Sequence, residues 1–197
     1  MKEMMVILVS AILVNNFVLA KFLGICPFLG VSQKLDSAMG MSIAVTFVMA
    51  MATAATYPIQ KGILERFGLE YLQTIVFILV IAALVQLVET ILKKYVPTLY
   101  KSLGIYLPLI TTNCCVLGVT ILNITKQYTF AQSMVNSVGA GLGFMLAMVI
   151  FSGVRSRVEA SDKIPEHFRG LPITLIAASI VSVSFMGFTG VVEGLFH

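Results

Sequence analysis

Six apolar stretches, each near the length of a bilayer crossing, constrain this chain more than anything else in it. They run approximately 4–31, 38–58, 72–92, 103–122, 133–153 and 172–192. A spanning helix needs roughly 20 apolar residues. Inside hydrocarbon the backbone must satisfy its own hydrogen bonds, which leaves helices or closed barrels. Long continuous apolar runs fit helices. The expected fold is an all-α polytopic membrane protein with six transmembrane helices, forming one membrane domain over residues 1–197. Only 11% of residues are charged, against roughly 25% in soluble domains. The net charge of +4 is scattered between the apolar runs, so it reads as loop asymmetry and no nucleic-acid partner is expected. The apolar start after Lys2 continues past any plausible cleavage point, which argues against a cleaved signal peptide.

The first and fourth stretches carry clusters of helix-breaking residues. The first is too long for one straight span and holds Asn15, Asn16, Lys21, Gly24 and Pro27. Its helix is expected to break near Gly24-Ile25-Cys26-Pro27. The fourth has Gly104, Pro108, Thr111, Thr112 and Asn113 ahead of Cys114. Proline removes a helical donor and pushes the residue before it out of the α region. Irregular backbone at membrane depth survives where it packs in protein or lines a cavity. Gly139, Gly141 and Gly143 in the fifth stretch suggest close helix packing, the first and last at GxxxG spacing.

Lysine and arginine set the expected orientation. Loops after spans one, three and five hold Lys34, Lys93, Lys94, Lys101, Arg155, Arg157, Lys163 and Arg169. The other side holds Lys2, Lys61, Arg66 and Lys126. The richer side should be cytoplasmic, which puts both termini outside.

The breaks coincide with a short duplication. Cys26-Pro27-Phe28-Leu29-Gly30-Val31-Ser32 echoes Cys114-Cys115-Val116-Leu117-Gly118-Val119-Thr120. Aligning Cys26 with Cys114 splits the chain into halves of approximately 1–100 and 101–197, each with three spans. An odd span number inverts the second half, so an inverted 3+3 repeat is expected, with broken helices one and four meeting near the midplane. Cys26 and Cys114 would approach each other there.

Three cysteines, all in apolar segments, are a poor disulfide framework. A lone cysteine is usually a small buried packing residue. Two symmetric ones instead offer half of a four-thiolate metal site. A complete cluster would then need two thiolates from a partner chain. Adjacent helical residues point about 100° apart, so Cys114 and Cys115 are not expected on the same iron.

Glu89, Lys21, Asn15 and Asn113 fall in or near spans and are candidate ion-path residues, since polar groups at that depth are usually functional. Lys21 and Glu89 could instead snorkel from span ends. There is no Rossmann fingerprint and no P-loop. His167 and His197 are isolated, which argues against a haem pair. The chain is not expected to hold a self-contained catalytic site. A small inverted-repeat secondary transporter and a structural scaffold are the rival readings.

The run Leu13-Val14-Asn15-Asn16-Phe17-Val18-Leu19-Ala20-Lys21-Phe22-Leu23-Gly24-Ile25-Cys26-Pro27-Phe28 resembles the first span of the A-type subunit family of Rnf electron-transport complexes. The run Leu103-Gly104-Ile105-Tyr106-Leu107-Pro108-Leu109-Ile110-Thr111-Thr112-Asn113-Cys114 is similar to that family too, as is Phe185-Met186-Gly187-Phe188-Thr189-Gly190. The likeness covers essentially the whole chain. A sister family is the E-type component of the sodium-pumping NADH:quinone oxidoreductase, which the first motif resembles less closely.

The resemblance implies a six-span electron-transfer subunit in a bacterial or archaeal cytoplasmic membrane, paired with a homologous E-type component of opposite orientation. It implies one [2Fe–2S] cluster held between the two chains, with Cys26 and Cys114 as this chain's ligands. It further implies iron–sulfur and flavin-bearing partner subunits, and a complex that couples ferredoxin:NAD⁺ oxidoreduction to movement of Na⁺ or H⁺. Cys115 stands where a small apolar residue is expected.

Overall fold

A computed structural model describes residues 2–68, 70–95, 107–161 and 164–196. Among the described residues all regular structure is helical. In chain order the helices are α1 (Lys2–Ile12), α2 (Ile25–Val31), α3 (Leu35–Phe67), α4 (Gln73–Tyr95), α5 (Leu107–Thr111), α6 (Cys114–Thr125), α7 (Phe130–Glu159) and α8 (Leu171–Phe196). Among the described residues, α3, α7 and the Gln73–Ile91 part of α4 are long and apolar enough to cross a membrane. Glu3–Ile12, Leu109–Thr125 and Leu171–Gly187 are shorter apolar helical stretches. Lys101, Gly104, Lys163 and His197 lie outside the described residues.

The first apolar segment departs from expectation in where its helix stops. Helix α1 ends at Ile12, twelve residues before Gly24. Asn16 explains this. It is fully buried, and its side-chain oxygen accepts from the amides of Val18 (3.0 Å) and Leu19 (3.3 Å). Its Nδ2 donates to the carbonyls of Gly143 (2.8 Å) and Ile12 (3.2 Å). An asparagine that bonds its own backbone offers the chain an alternative to the helical ladder. The segment 13–24 therefore packs as irregular backbone whose polar groups are partly satisfied from within the protein.

Helices α3 and α7 form the central antiparallel pair. Tyr57 meets Phe130 edge-on at 5.4 Å, and the Thr53 and Ser137 hydroxyls lie 2.6 Å apart in a hydrogen bond. Thr46 faces Gly141 so closely that a Cβ there would lie 2.5 Å from the threonine side chain. The expected glycine packing is present, with a division of labour. Residues two apart on a helix point about 200° apart. Gly141 thus receives α3, while Gly139 and Gly143 receive Leu8, Ala11 and Ile12 of α1. Helix α7 starts at Phe130, ahead of its apolar run, because Thr129 and Gln132 form a capping box. Helix α3 passes Pro58 and continues through a π-turn at Gln60–Leu64.

The buried core joins Phe17 and Leu19 of the irregular segment to Met41, Val45 and Met49 of α3, Val116 and Val119 of α6, and Phe144, Met148 and Phe151 of α7. The outer faces of α4 and α8 stay apolar, with Ile75, Leu79, Leu87, Ile180, Val183 and Met186 exposed. Exposed apolar area of that extent suits lipid or partner helices.

Candidate metal centre

Helix α2 begins one residue before Cys26, and α6 begins at Cys114. The two starts are brought together by Gly24, which precedes α2. Its backbone lies in the left-handed region, at φ 85°, where glycine is at no disadvantage. Its N–H donates to the Cys114 sulfur at 2.9 Å. A Cβ on Gly24 would stand 3.2 Å from Asn113 Oδ1, 3.2 Å from Cys115 Cβ and 3.1 Å from the Phe144 ring. The duplicated motifs therefore adjoin, and a side chain between them would crowd its neighbours on a backbone that already favours glycine.

Asn113 shapes the other side of this junction. Its Oδ1 caps α6 by accepting the Cys115 amide at 3.0 Å. Its Nδ2 is buried and has no partner among the described residues. An unpaired buried amide is costly, which marks the junction as polar and unfinished within this chain.

The three cysteines differ sharply in exposure. Cys26 is exposed, Cys114 is half-buried and Cys115 is fully buried among apolar neighbours. Cys26 and Cys114 can be reached from outside the chain, whereas Cys115 packs. Among the described residues no group of three or more Cys, His, Asp or Glu comes together. The donor set fits half of a thiolate site: two accessible sulfurs from adjoining helix starts, with backbone N–H groups able to reach sulfur.

The remaining sequence-singled residues are dispersed. Asn15 donates to Ser10 Oγ at 2.9 Å. Lys21 is half-buried, with its ammonium 5.0 Å from the centroid of the Phe17 ring. Glu89 is half-buried on α4. Asn113, one of the four candidate ion-path residues, adjoins the cysteine junction.

Two polar arrangements are not legible in the sequence, although Asn136 itself stands out as a polar residue inside an apolar stretch. One is a buried network across α3, α6 and α7. Asn136 Nδ2 donates to Asn123 Oδ1 at 2.7 Å, and Asn123 Nδ2 donates to Ser137 Oγ at 3.2 Å. The other is Arg155. Read as a loop cation, it lies inside α7, which runs on to Glu159, and is buried. Its Nη1 donates to Ser32 Oγ (3.0 Å) and to the Leu29 carbonyl (2.5 Å).

A family model described as Rnf-Nqr subunit, membrane protein, matches residues 4–192. The chain is 57% identical over 188 residues to the A-type component of the Na(+)-translocating ferredoxin:NAD(+) oxidoreductase complex of Acetobacterium woodii, covering 95% of this chain and 97% of that protein. It is 56% identical over 194 residues to the A-type component of the ion-translocating oxidoreductase complex of Syntrophotalea carbinolica, covering 98% and 100%. The corresponding protein of Aliivibrio fischeri is 51% identical over 193 residues, again covering 98% and 100%. With apolar helices of spanning length and a match along nearly the whole chain, this integral membrane protein belongs to the Rnf-Nqr subunit family.

Proposed function

We propose that this chain is the A-type component of an ion-translocating ferredoxin:NAD⁺ oxidoreductase, and that it provides two of the four thiolates of an intramembrane [2Fe–2S] cluster. Cys26 and Cys114 are the ligands, and a homologous chain of opposite orientation supplies the other two. When bound, the cluster supplies a one-electron relay that divides a hydrocarbon core of about 30 Å into two shorter steps. The observation that carries this reading is the Gly24 N–H donated to the Cys114 sulfur at the junction of α2 and α6.

The chain's own residues have defined tasks in this reading. Cys114 is the first residue of α6, at the positive end of that helix's dipole. That dipole and the Gly24 N–H favour negative charge on sulfur, which would raise the reduction potential of a cluster held there. The exposure of Cys26 and the half-exposure of Cys114 leave both free to meet a partner chain. Full burial of Cys115 suits packing.

An inverted repeat is supported by element order. A short helix, a cysteine-bearing helix, a long central helix and an apolar outer helix occur as α1 to α4 and again as α5 to α8. We take α1 with α2, and α5 with α6, as the two broken spans, which makes six crossings with both termini outside. Glu89, Lys21, Asn15 and Asn113 stay proposed for ion movement. Sodium is the favoured ion, on the name of the Acetobacterium woodii relative.

The test is low-temperature EPR with iron quantification on this chain purified with its homologous partner. A reduced [2Fe–2S] signal is expected that is lost on Cys26→Ser or Cys114→Ser. An intact pair without iron, or full retention of the signal in either variant, overturns the ligand assignment.

A further inference from the structure

We infer that Arg155 of α7 is a positioning residue for the helix that carries Cys26. The inference rests on the reading of Cys26 as a cluster ligand. Helix α2 has only seven residues, and its N-terminus has no side-chain cap. Helices of that length are not stable alone, because nucleation is costly and few hydrogen bonds follow. Pro27 removes one more donor, tolerably, since it lies in the first turn. What holds α2 in place must come from outside it.

Helix α7 provides the hold along one stripe of residues four apart. Phe151 stacks on Phe28 with ring centroids 4.1 Å apart and an interplanar angle of 22°. One turn on, Arg155 donates from Nη1 to the Leu29 carbonyl and to Ser32 Oγ, at the C-terminal end of α2. A further turn on, Glu159 accepts from Arg155 Nε at 2.7 Å and fixes the guanidinium plane. The last carbonyls of a helix have no intrahelical donor, and a cation beside them is favoured by the helix dipole. Arg155 meets both needs with one group.

Burial makes this more than packing. The Arg155 side chain is 7% exposed, whereas Glu159 is 47% exposed. A buried guanidinium is expensive, and an apolar residue of similar volume is often as stable or better. An arginine at such a site is explained by the geometry it imposes. Gly24 sets one end of α2 against Cys114, and Arg155 sets the other end against α7. Between the two anchors, Cys26 has one register relative to Cys114. Loss of Arg155 frees α2 to slide or rotate, which misplaces the Cys26 sulfur.

The experiment uses two readouts on Arg155→Gln and Arg155→Lys. The first is the maleimide labelling rate of Cys26 in the full-length chain purified without cluster, in a Cys114→Ser, Cys115→Ala background. The second is the midpoint potential and g-values of the cluster in the assembled complex with all cysteines present. Arg155→Gln is expected to shift the labelling rate of the already exposed Cys26, as α2 loses its single register. It should also shift the potential and g-values. Arg155→Lys should recover most of both. Unchanged labelling and potential in an assembled Arg155→Gln complex overturn the inference. If that variant fails to assemble, Ser32→Ala and Glu159→Gln decide by the same readouts, and null effects in both overturn it. A native complex without a cluster would sink the ligand reading, while labelling still reports whether Arg155 holds α2.

Discussion

The amide of Gly24 and the sulfur of Cys114, ninety residues apart in sequence, are 2.9 Å apart in the fold. The contact joins the starts of two cysteine-bearing helices, and it depends on a backbone that glycine alone adopts cheaply. Gly24→Ala places a methyl at 3.1–3.2 Å from Phe144, Asn113 and Cys115, at φ 85°. A non-glycine residue in the left-handed region costs about 1–2 kcal/mol before any clash is counted. We predict that the variant assembles poorly. Where it assembles, the [2Fe–2S] EPR signal should be diminished or its potential shifted downward. An unaltered signal with unaltered potential would show that the amide does not tune the site.

Glycines of α7 separate close packing from open surface within one helix. A Cβ on Gly141 would lie 2.5 Å from Thr46, whereas nothing lies within 4 Å of one on Gly153. Gly141→Ala should therefore lower the thermal stability of the detergent-solubilised chain, by about 1–3 kcal/mol as for other overpacked sites. Gly153→Ala should be neutral or raise stability, since alanine is favoured over glycine in a helix by about 1 kcal/mol. Equal effects from both substitutions would refute the close α3–α7 approach.

Much of this architecture was legible in the chain, and the exceptions share a cause. Lengths of apolar sequence located α3, α4, α7 and α8, and Gly139, Gly141 and Gly143 announced close packing. Neither revealed which neighbour each glycine receives, because that depends on how α1 and α3 flank α7. The early end of α1 was hidden because residues 17–20 are apolar and read as helix. Asn16 stops the helix through bonds whose longest-range partner, Gly143, is 127 residues away. Arg155 looked like a loop cation because its burial comes from Leu29 and Ser32, more than 120 residues away. The duplicated cysteines were visible, but the contact that joins the motifs runs through a backbone amide, which sequence does not distinguish.

The Thr53–Ser137 hydrogen bond links α3 to α7 inside the apolar core, at 2.6 Å between buried hydroxyls. Hydrogen bonds between membrane helices are worth about 0.6 kcal/mol on average, with a maximum near 1.7. A double-mutant cycle with Thr53→Val and Ser137→Ala should give a coupling in that range, read from unfolding of the detergent-solubilised chain. Asn123→Ala should cost more, because it strands the Asn136 amide, which donates to Asn123 at 2.7 Å. Strictly additive effects at Thr53 and Ser137 would mean that the two hydroxyls do not bond in the membrane.

Cys115 offers the sharpest test of which neighbouring thiol belongs to the metal. It is fully buried, and its amide is tied to Asn113, whereas the adjacent Cys114 sulfur accepts the Gly24 N–H and keeps some exposure. Side chains one residue apart on α6 point about 100° apart, so a metal reached by Cys114 is turned away from Cys115. Cys115→Ala removes only a buried sulfur. It should leave the iron content and EPR signal of the assembled complex intact, at a stability cost of about 1 kcal/mol, in keeping with loss of a small buried group. Cys114→Ala should abolish the signal. The opposite pattern, with the signal surviving at Cys114→Ala and vanishing at Cys115→Ala, would move the ligand by one residue. It would also require the start of α6 to rotate by about 100° about its axis.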